Sequence, residues 1–321
     1  MLRRRAEQIW HEVFGDSEEF IEKYFDIFCA ENSLHCVLSP DKEIQSVLLA
    51  VDYLYRYNES RVKAAYLTAI ATLEQYRKKG LCTLLIKNTL NSLYKQGVVF
   101  CGLIAQDDGL CRYYGKLSFH CSKPKQERIF NYSCIDKNTT GGYTLQKCSD
   151  ITSKECLELI NAGISTVIHN KQTMQLYNHV PYARYLLTEN SCIKGIAIGE
   201  EKQDRVELYD VFVSNSGLEK VFALLIASET EKDVCIAAKQ RHMFRIVNAY
   251  KALELYAKQH SDGVFAFKVT DDVIQENNRV FYLTQGSVSF NSNTAKPGQI
   301  HITQLAKMLF PASYMPCMLD R

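Results

Sequence analysis

Residues 66–86, YLTAIATLEQYRKKGLCTLLI, join the end of an apolar strand to the beginning of an apolar helix. Residues 62–72 form a long apolar run, which predicts a strand that ends at Thr72. Gly80 directly precedes the helix, and the basic turn Arg77-Lys78-Lys79-Gly80 lies between the two elements. The order of strand, basic turn and helix is typical of an α/β unit with a candidate anion site at the turn.

The basic turn predicts an anion site for two physical reasons. Backbone N–H groups at a helix N-terminus carry partial positive charge and point outward, so they bind phosphate groups. Gly80 lets the backbone approach a ligand closely, while Arg77, Lys78 and Lys79 add positive charge. An exposed basic turn that binds nothing is the alternative interpretation of these residues.

A second informative stretch, LCRYYGKLSF at residues 110–119, follows after one further helix and one strand. It contains Tyr113 and Tyr114, two of the 19 tyrosines in the chain, so packing aromatics are the simplest interpretation. Cys111 could act as a thiol nucleophile, but it has no histidine beside it in the sequence.

The spacing of Arg77, Gly80 and Cys82 resembles the Q/R-x-x-G-x-G/A signature of the GCN5-related N-acetyltransferases (GNAT), with cysteine in place of the last Gly or Ala. The resemblance implies that this loop binds the pyrophosphate of acetyl-CoA and that the preceding strand pairs with the pantetheine arm. The cofactor-binding residues implied are Ala69, Ile70, Ala71, Thr72, Arg77, Lys78, Lys79, Gly80, Leu81 and Cys82.

Tyr114 also fits this family. Its members often have a tyrosine four residues before a Gly-Phe pair, and Tyr114 precedes Ser118-Phe119 at that distance. The resemblance implies that Tyr114 is the general acid that protonates the departing CoA thiolate. It further implies direct transfer without a covalent intermediate, which argues against Cys111 as a nucleophile.

Three later segments resemble the C-terminal part of the Enhanced Intracellular Survival (Eis-type) acetyltransferases: residues 243–248, residues 267–278 and a helix at 302–310. The resemblance implies an α+β or α/β chain with a GNAT acyltransferase fold in residues 1–122. A second, degenerate GNAT-like domain would span residues 123–240. A small sterol-carrier-like α+β domain would span residues 241–321, and a homo-oligomer is compatible with the resemblance.

The general base is less well marked. In Eis-type enzymes the C-terminal carboxylate reaches the active site, which here implies the carboxylate of Arg321, although an aromatic residue is usual at that end. An ammonium group must lose a proton before it attacks a thioester, so some base is required. Glu74, His120 and Asp52 are the weaker candidates.

The hydrophobic pattern indicates how the rest of the chain is organised. The order strand, hairpin, strand and helix occurs at residues 34–94 and again at 183–228, although the residues differ. A helix that includes Ile246 is expected to continue to about Tyr256. The acidic residues of the stretch 271–276 are more typical of a turn between strands than of a metal site.

Composition excludes several classes of protein. The chain has 321 residues, of which 46% are hydrophobic and 23% charged, as in a folded globular protein. The formal net charge of +2 gives no support for nucleic-acid binding. The 12 cysteines form no C-x-x-C pair and the 8 histidines show no ligand spacing, so no metal is expected. Reduced thiols in a cytoplasmic protein without a membrane segment are the simplest account.

Together these features predict an acetyl-CoA-dependent N-acetyltransferase that acts on a primary amine of a small molecule or peptide. The acceptor amine attacks the thioester directly, and acetyl-CoA serves as co-substrate. Two alternatives stay open: a non-catalytic module that binds CoA or a lipid on the same fold, and an aminoacyl transferase with tandem GNAT domains that uses charged tRNA.

Overall fold

The computed structural model describes residues 2–122, 126–134, 141–163, 165–237, 241–290 and 296–310. The described residues form two compact units. The first contains residues 2–122 together with 241–310, and the second contains the described residues between 126 and 237. The first unit is therefore built from two segments that are distant in the sequence.

The first segment of the first unit begins with two helices and continues with a hairpin, a helix and shorter elements. Its elements are α1 (Leu2–Phe14), α2 (Glu18–Phe28), β1 (Leu34–Leu38), β2 (Ile44–Tyr57), β3 (Ser60–Thr72), α3 (Leu81–Lys95), β4 (Phe100–Ala105), α4 (Asp108–Gly115) and β5 (His120–Cys121). Ser17 caps α2 by accepting a hydrogen bond from the Phe20 N–H.

The second unit has three helices and seven strands in its described part. Its elements are β6 (Arg128–Phe130), β7 (Thr144–Lys147), α5 (Lys154–Ile160), β8 (Ser165–Ile168), α6 (Lys171–His179), β9 (Ala183–Glu189), β10 (Cys192–Glu201), β11 (Arg205–Val213), α7 (Leu218–Thr230) and β12 (Asp233–Ile236).

The last segment returns to the first unit. Its elements are β13 (Arg241–Ile246), α8 (Ala249–Gln259), β14 (Phe265–Thr270), β15 (Val280–Thr284), β16 (Ser287–Ser289), β17 (Gly298–His301) and α9 (Ile302–Leu309). Strands β14–β17 form a small sheet in the order β16-β15-β14-β17, which α8 and α9 contact.

The main sheet of the first unit has the strand order β1-β2-β3-β4-β13-β5. Strand β13 lies between β4 and β5 and is antiparallel to both, although the whole second unit separates it from them in the sequence. The prediction that Ile246 belongs to a helix is wrong, because Ile246 ends β13 and pairs with Phe100. The separate domain predicted from residue 241 likewise differs from the structure, which joins residues 241–310 to the first unit.

The end of α9 shares a core with the main sheet. Phe310 is fully buried, stacks on Phe244 at 5.4 Å and lies 4.5 Å from the ring of Phe100. The Tyr57 hydroxyl donates a hydrogen bond to the carbonyl of Leu309. Burial of these rings stabilises the first unit by excluding apolar surface from water, and residues of both segments contribute.

Two irregularities open the main sheet at the end of β3. Strand β3 pairs in parallel with β4 over three residues only, the last pair being Tyr66 with Gly102. Beyond it, two residues of β3, Ala69 and Ile70, oppose the single residue Leu48 of β2, and Ala69 has a left-handed φ of 50°. Such a bulge bends the strand. The end of β3 therefore diverges from β4 and leaves backbone groups on that side for a ligand.

The second unit repeats the arrangement predicted from the sequence. Its sheet has the order β6-β12-β11-β10-β9-β7, and α7 joins β11 to the parallel strand β12 just as α3 joins β3 to β4. The internal repeat is thus confirmed in element order. The register of β11 also shifts at Tyr209, opposite Ile198 and Gly199. No basic turn precedes α7, where the chain reads Ser214-Asn215-Ser216-Gly217.

No helix in the described part of the chain is both long enough and apolar enough to cross a membrane.

Replacing Gly199 by alanine tests the close packing of strands β10 and β11. A Cβ at this position would overlap the backbone oxygen of Glu207 and lie 2.8 Å from the Cα of Leu208. We expect Gly199→Ala to lower the free energy of unfolding by about 1–3 kcal/mol, measured by urea denaturation. Gly217→Ala is the control, since its nearest neighbour is an Asn215 oxygen at 3.5 Å. Equal stability of the two variants would contradict this packing.

Candidate functional site

The basic turn after β3 has the conformation that an anion site requires. Gly80 is the N-cap residue of α3, with φ of 79°, and no side chain caps the helix. The first N–H groups of α3 have no partner inside the helix, as in every α-helix. A ligand with acceptor oxygens can therefore bind at this end, and the positive φ accounts for glycine at this position.

The charged residues of the turn surround this helix end. Arg77, Lys78 and Lys79 are exposed, and Lys78 has a left-handed φ of 61°. The Arg77 Nε donates a hydrogen bond to the Thr72 carbonyl at 3.0 Å, which fixes the turn to the end of β3. The Lys79 ammonium lies 5.4 Å from the centre of the Tyr76 ring. The turn is thus anchored at one end and positively charged.

Side-chain hydrogen bonds join the end of β3, the start of α3 and helix α4. The thiol of Cys82 bonds to the side chains of Tyr113 and Thr72. The Tyr113 hydroxyl also lies 3.0 Å from the Thr83 hydroxyl. Burial raises the pKa of Cys82, although both hydrogen bonds favour the thiolate. This cluster brings together three of the elements singled out in the sequence.

Tyr114 lies beside this cluster in the same core. Its side chain is 6% exposed, and its ring lies 5.2 Å from that of Tyr113 and 5.9 Å from that of Phe119. Its hydroxyl forms no hydrogen bond with another described residue. Burial, with contributions from Cys82 and Tyr113, raises the pKa of Tyr114, so the phenol is protonated at neutral pH.

The turn after Tyr114 is tightly wound. The carbonyl of Tyr114 accepts hydrogen bonds from the N–H groups of Leu117 and Phe119, at 2.9 and 3.2 Å. Ser118, which stands where the resembling family has glycine, has a left-handed φ of 66°. A serine in this conformation costs free energy, so neighbouring contacts must hold the turn.

A buried ion pair that the sequence did not reveal contacts this turn. Arg245 and Asp271 are 0% and 2% exposed, and their charged atoms lie 2.6 Å apart. The Arg245 Nε donates to the carbonyl of Leu117 at 2.9 Å. Asp271 also accepts hydrogen bonds from Asn277 and from two backbone N–H groups. The acidic stretch does form a turn between strands, and Asp271 pairs with arginine there.

The three weaker candidates for the general base lie in different parts of the first unit. His120 directly follows the turn, and burial together with the charge of Lys307 lowers its pKa. Glu74 is exposed in a 3₁₀ turn at Glu74–Tyr76. Asp52 is on β2 and pairs with Ala65 of β3, which precedes the bulge in β3. Partial burial raises the pKa of Asp52. Only His120 of these three adjoins the turn that bears Tyr114. Arg321 lies outside the described residues.

The cysteines whose side chains the structure describes are free thiols. Cys111 on α4 and Cys121 on β5 have their sulfur atoms 3.7 Å apart, and burial and the neighbouring Cys111 raise the pKa of Cys121 to about 11. Within the described ranges, no three His, Cys, Asp or Glu side chains are grouped so that they could hold a metal ion.

One family model matches the first segment of the chain. Residues 3–120 match the model described as the acetyltransferase (GNAT) domain. These residues contain all but the first residue of α1, the elements from α2 to α4, the basic turn and Tyr114. This part of the chain is therefore similar to acetyltransferase domains of the GNAT type. A comparison with curated protein sequences finds no match.

Several solved structures of other proteins align with nearly the whole chain. A GCN5-related N-acetyltransferase from Anabaena variabilis is 19% identical with a TM-score of 0.75, over 96% of this chain and 86% of that one. A probable N-acyltransferase from Enterococcus faecalis is 15% identical with a TM-score of 0.76, over 94% and 86%.

Eis1 from Mycobacterium abscessus is 13% identical with a TM-score of 0.71, over 96% of this chain and 86% of that one. At these identities the likeness shows the fold. The mixed α/β class and the GNAT fold predicted from the sequence are confirmed.

Thiol alkylation tests the environment of Cys82. Cys192 is exposed, whereas Cys82 is largely buried with a raised pKa. Since the thiolate is the nucleophile, we expect iodoacetamide at pH 8 to label Cys192 about tenfold faster than Cys82. Thr72→Val removes a hydrogen bond that lowers the pKa of Cys82, so that pKa should rise further and labelling should require a higher pH. Peptide mass spectrometry against pH measures both, with Cys192 as internal reference. Faster labelling of Cys82 in Thr72→Val would contradict the hydrogen bond.

Proposed function

We propose that the protein is an acetyl-CoA-dependent N-acetyltransferase that transfers the acetyl group to a primary amine by direct attack on the thioester. The observation that supports this most strongly is the cluster of Thr72, Cys82, Thr83 and Tyr113. Within the matched domain, it joins the strand proposed to bind pantetheine, the loop proposed to bind pyrophosphate and the helix that bears Tyr114.

The cofactor is proposed to bind along the opened end of β3. The residues assigned to it are Ala69, Ile70, Ala71, Thr72, Arg77, Lys78, Lys79, Gly80, Leu81 and Cys82. The uncapped start of α3 and the three cationic side chains would bind the pyrophosphate. Backbone groups beyond the bulge at Ala69 would pair with the pantetheine arm and orient the thioester. Holding the thioester in a fixed position lowers the entropic part of the barrier.

Tyr114 is proposed as the general acid. Its raised pKa keeps the hydroxyl protonated at neutral pH, and its hydrogen is available because no other described residue accepts it. When the amine attacks, the C–S bond breaks and the electron pair stays on the CoA sulfur. A thiolate in the same buried environment is also disfavoured, so it takes a proton from the phenol.

The acceptor amine must arrive neutral, so a base has to take its proton. The carboxylate of Arg321 stays a prediction for this role. Among the weaker candidates, His120 is supported by its place beside the turn and by its lowered pKa, which leaves the imidazole neutral at pH 7. The acceptor class is a small-molecule or peptide amine.

The proposal also includes the setting of the enzyme. Free thiols among the described cysteines support a reducing, cytoplasmic environment. A degenerate GNAT-like second unit is supported by its repeated strand order without a basic turn before α7. The sterol-carrier-like character of residues 241–321 and a homo-oligomeric state stay predictions.

The first experiment measures both the binding of acetyl-CoA and the transfer of its acetyl group. Calorimetry with acetyl-CoA measures the cofactor site, and release of free CoA with a panel of amines measures transfer. We expect saturable binding and amine-dependent release of CoA. Tight binding without turnover of any amine would favour a binding module instead, and absence of acetyl-CoA binding would contradict the proposal.

Removing the hydroxyl of Tyr114 tests the general acid. We expect Tyr114→Phe to lower kcat about a hundredfold, because proton donation to the leaving thiolate is lost, while the Kd for acetyl-CoA is unchanged. Tyr113→Phe is the matched control, since it removes a neighbouring phenol that bonds to Thr83. It should lower kcat by less than about tenfold. A Tyr114→Phe enzyme with the wild-type rate would remove this residue from the mechanism.

Replacing Gly80 by alanine tests the loop. At a φ of 79° alanine is strained, and relaxation would turn the first N–H groups of α3 away from the pyrophosphate. We expect the Kd for acetyl-CoA to rise about tenfold. Gly15→Ala is a close control, since Gly15 has φ of 78° and, like Gly80, no atom within 4 Å of an added Cβ. The control should bind acetyl-CoA like wild type, and equal losses in both variants would refute the role of the loop.

A further inference from the structure

The turn that follows Tyr114 contains a residue in a strained conformation. Ser118 occupies a left-handed conformation without being glycine, and the hydrogen bonds from Leu117 and Phe119 converge on the Tyr114 carbonyl. Any change in the φ of Ser118 would move Leu117 and Phe119 and with them the backbone of Tyr114. Strain of this kind persists only where surrounding contacts impose it.

The strongest such contact comes from β13. Arg245 donates through Nε to the carbonyl of Leu117 at 2.9 Å, and its other end binds Asp271 at 2.6 Å. Its Nη1 donates to the carbonyl of Ile246 at 2.5 Å. With no exposed surface and three partners, the guanidinium has one available orientation, which fixes the carbonyl of Leu117.

Asp271 is fixed in turn. One of its oxygens accepts from Arg245 and from the N–H groups of Val273 and Ile274, and the other accepts from Asn277. Asn277 also donates to the carbonyl of Val247 and accepts from the Ala249 N–H. The links from Asn277 through Asp271 and Arg245 to Leu117 are therefore hydrogen bonds between buried groups of the first unit.

We propose that Arg245 is a positioning residue for Tyr114, which it orients through the carbonyl of Leu117. The inference deepens the proposed function, on which it rests, and assigns a role in transfer to a segment far from Tyr114 in the sequence. Arg245 acts on the position of the phenol and has no part in binding acetyl-CoA. Lysine cannot replace it, because one ammonium group cannot bridge Leu117 and Asp271 as the guanidinium fork does.

The first test compares Arg245→Lys with Asn277→Ser. The lysine keeps a positive charge for Asp271 but loses the bond to Leu117, whereas the Asn277 variant weakens the same network on the side away from the turn. At a temperature where both are folded, we expect Arg245→Lys to lower kcat about tenfold. The KM and Kd for acetyl-CoA should change less than about twofold. Asn277→Ser should lower Tm by about as much as Arg245→Lys does, yet leave kcat within about twofold of wild type.

The second test is a double-mutant cycle with Tyr114→Phe. If Arg245 acts through the phenol, Arg245→Lys should lower kcat less than about twofold once the phenol is absent. Asp271→Asn serves as a second variant where Arg245→Lys does not fold, since it keeps the shape of the side chain and weakens the anchor of Arg245.

The outcomes separate the two proposals. If Arg245→Lys lowers kcat by the same factor in the wild-type and the Tyr114→Phe enzyme, the positioning role of Arg245 is refuted, while Tyr114 stays the general acid. Equal losses of kcat in Arg245→Lys and Asn277→Ser show a purely structural network and also overturn it. If the Tyr114→Phe enzyme transfers acetyl at the wild-type rate, Tyr114 is not the general acid, and the positioning role of Arg245 is refuted as well.

Discussion

The buried ion pair between Arg245 and Asp271 is the interaction on which the first unit depends. Two charges removed from water are stabilised only if nearly every donor and acceptor is satisfied, and here they bind Leu117, Ile246, Asn277 and the backbone after Asp271. Loss of one partner would leave an uncompensated buried charge, at a cost of about 3–5 kcal/mol. The pair ties β13, the turn after Tyr114 and the β14–β15 turn into one polar network.

Three residues of the candidate site have strained backbone conformations. Ala69, Lys78 and Ser118 have left-handed φ values without being glycine, and they lie in the bulge, the basic turn and the turn after Tyr114. The same elements thus provide a strand edge open to a ligand, an uncapped helix end and a buried phenol, all in the domain that matches the GNAT model.

Local patterns in the sequence predicted the β2–β3 hairpin, the basic turn and helix α3, because each depends on residues close together in the chain. The strand β13 was missed, because Ile246 fits the spacing of the following helix and its partner Phe100 is far away in the sequence. The cluster around Cys82 could not be derived either. Thr72, Thr83 and Tyr113 are unremarkable residue types, and only the folded chain brings them together.

The late arrival of β13 has a consequence for biosynthesis. A ribosome delivers β4 and β5 early, yet the strand that separates them emerges only after the whole of residues 124–240 has been made. Until then the apolar edge of β4 has no partner, and such an edge can pair with other chains. The nascent first unit therefore passes through a vulnerable stage whose length is set by translation, and its long-range closure makes folding slower than that of a contiguous domain.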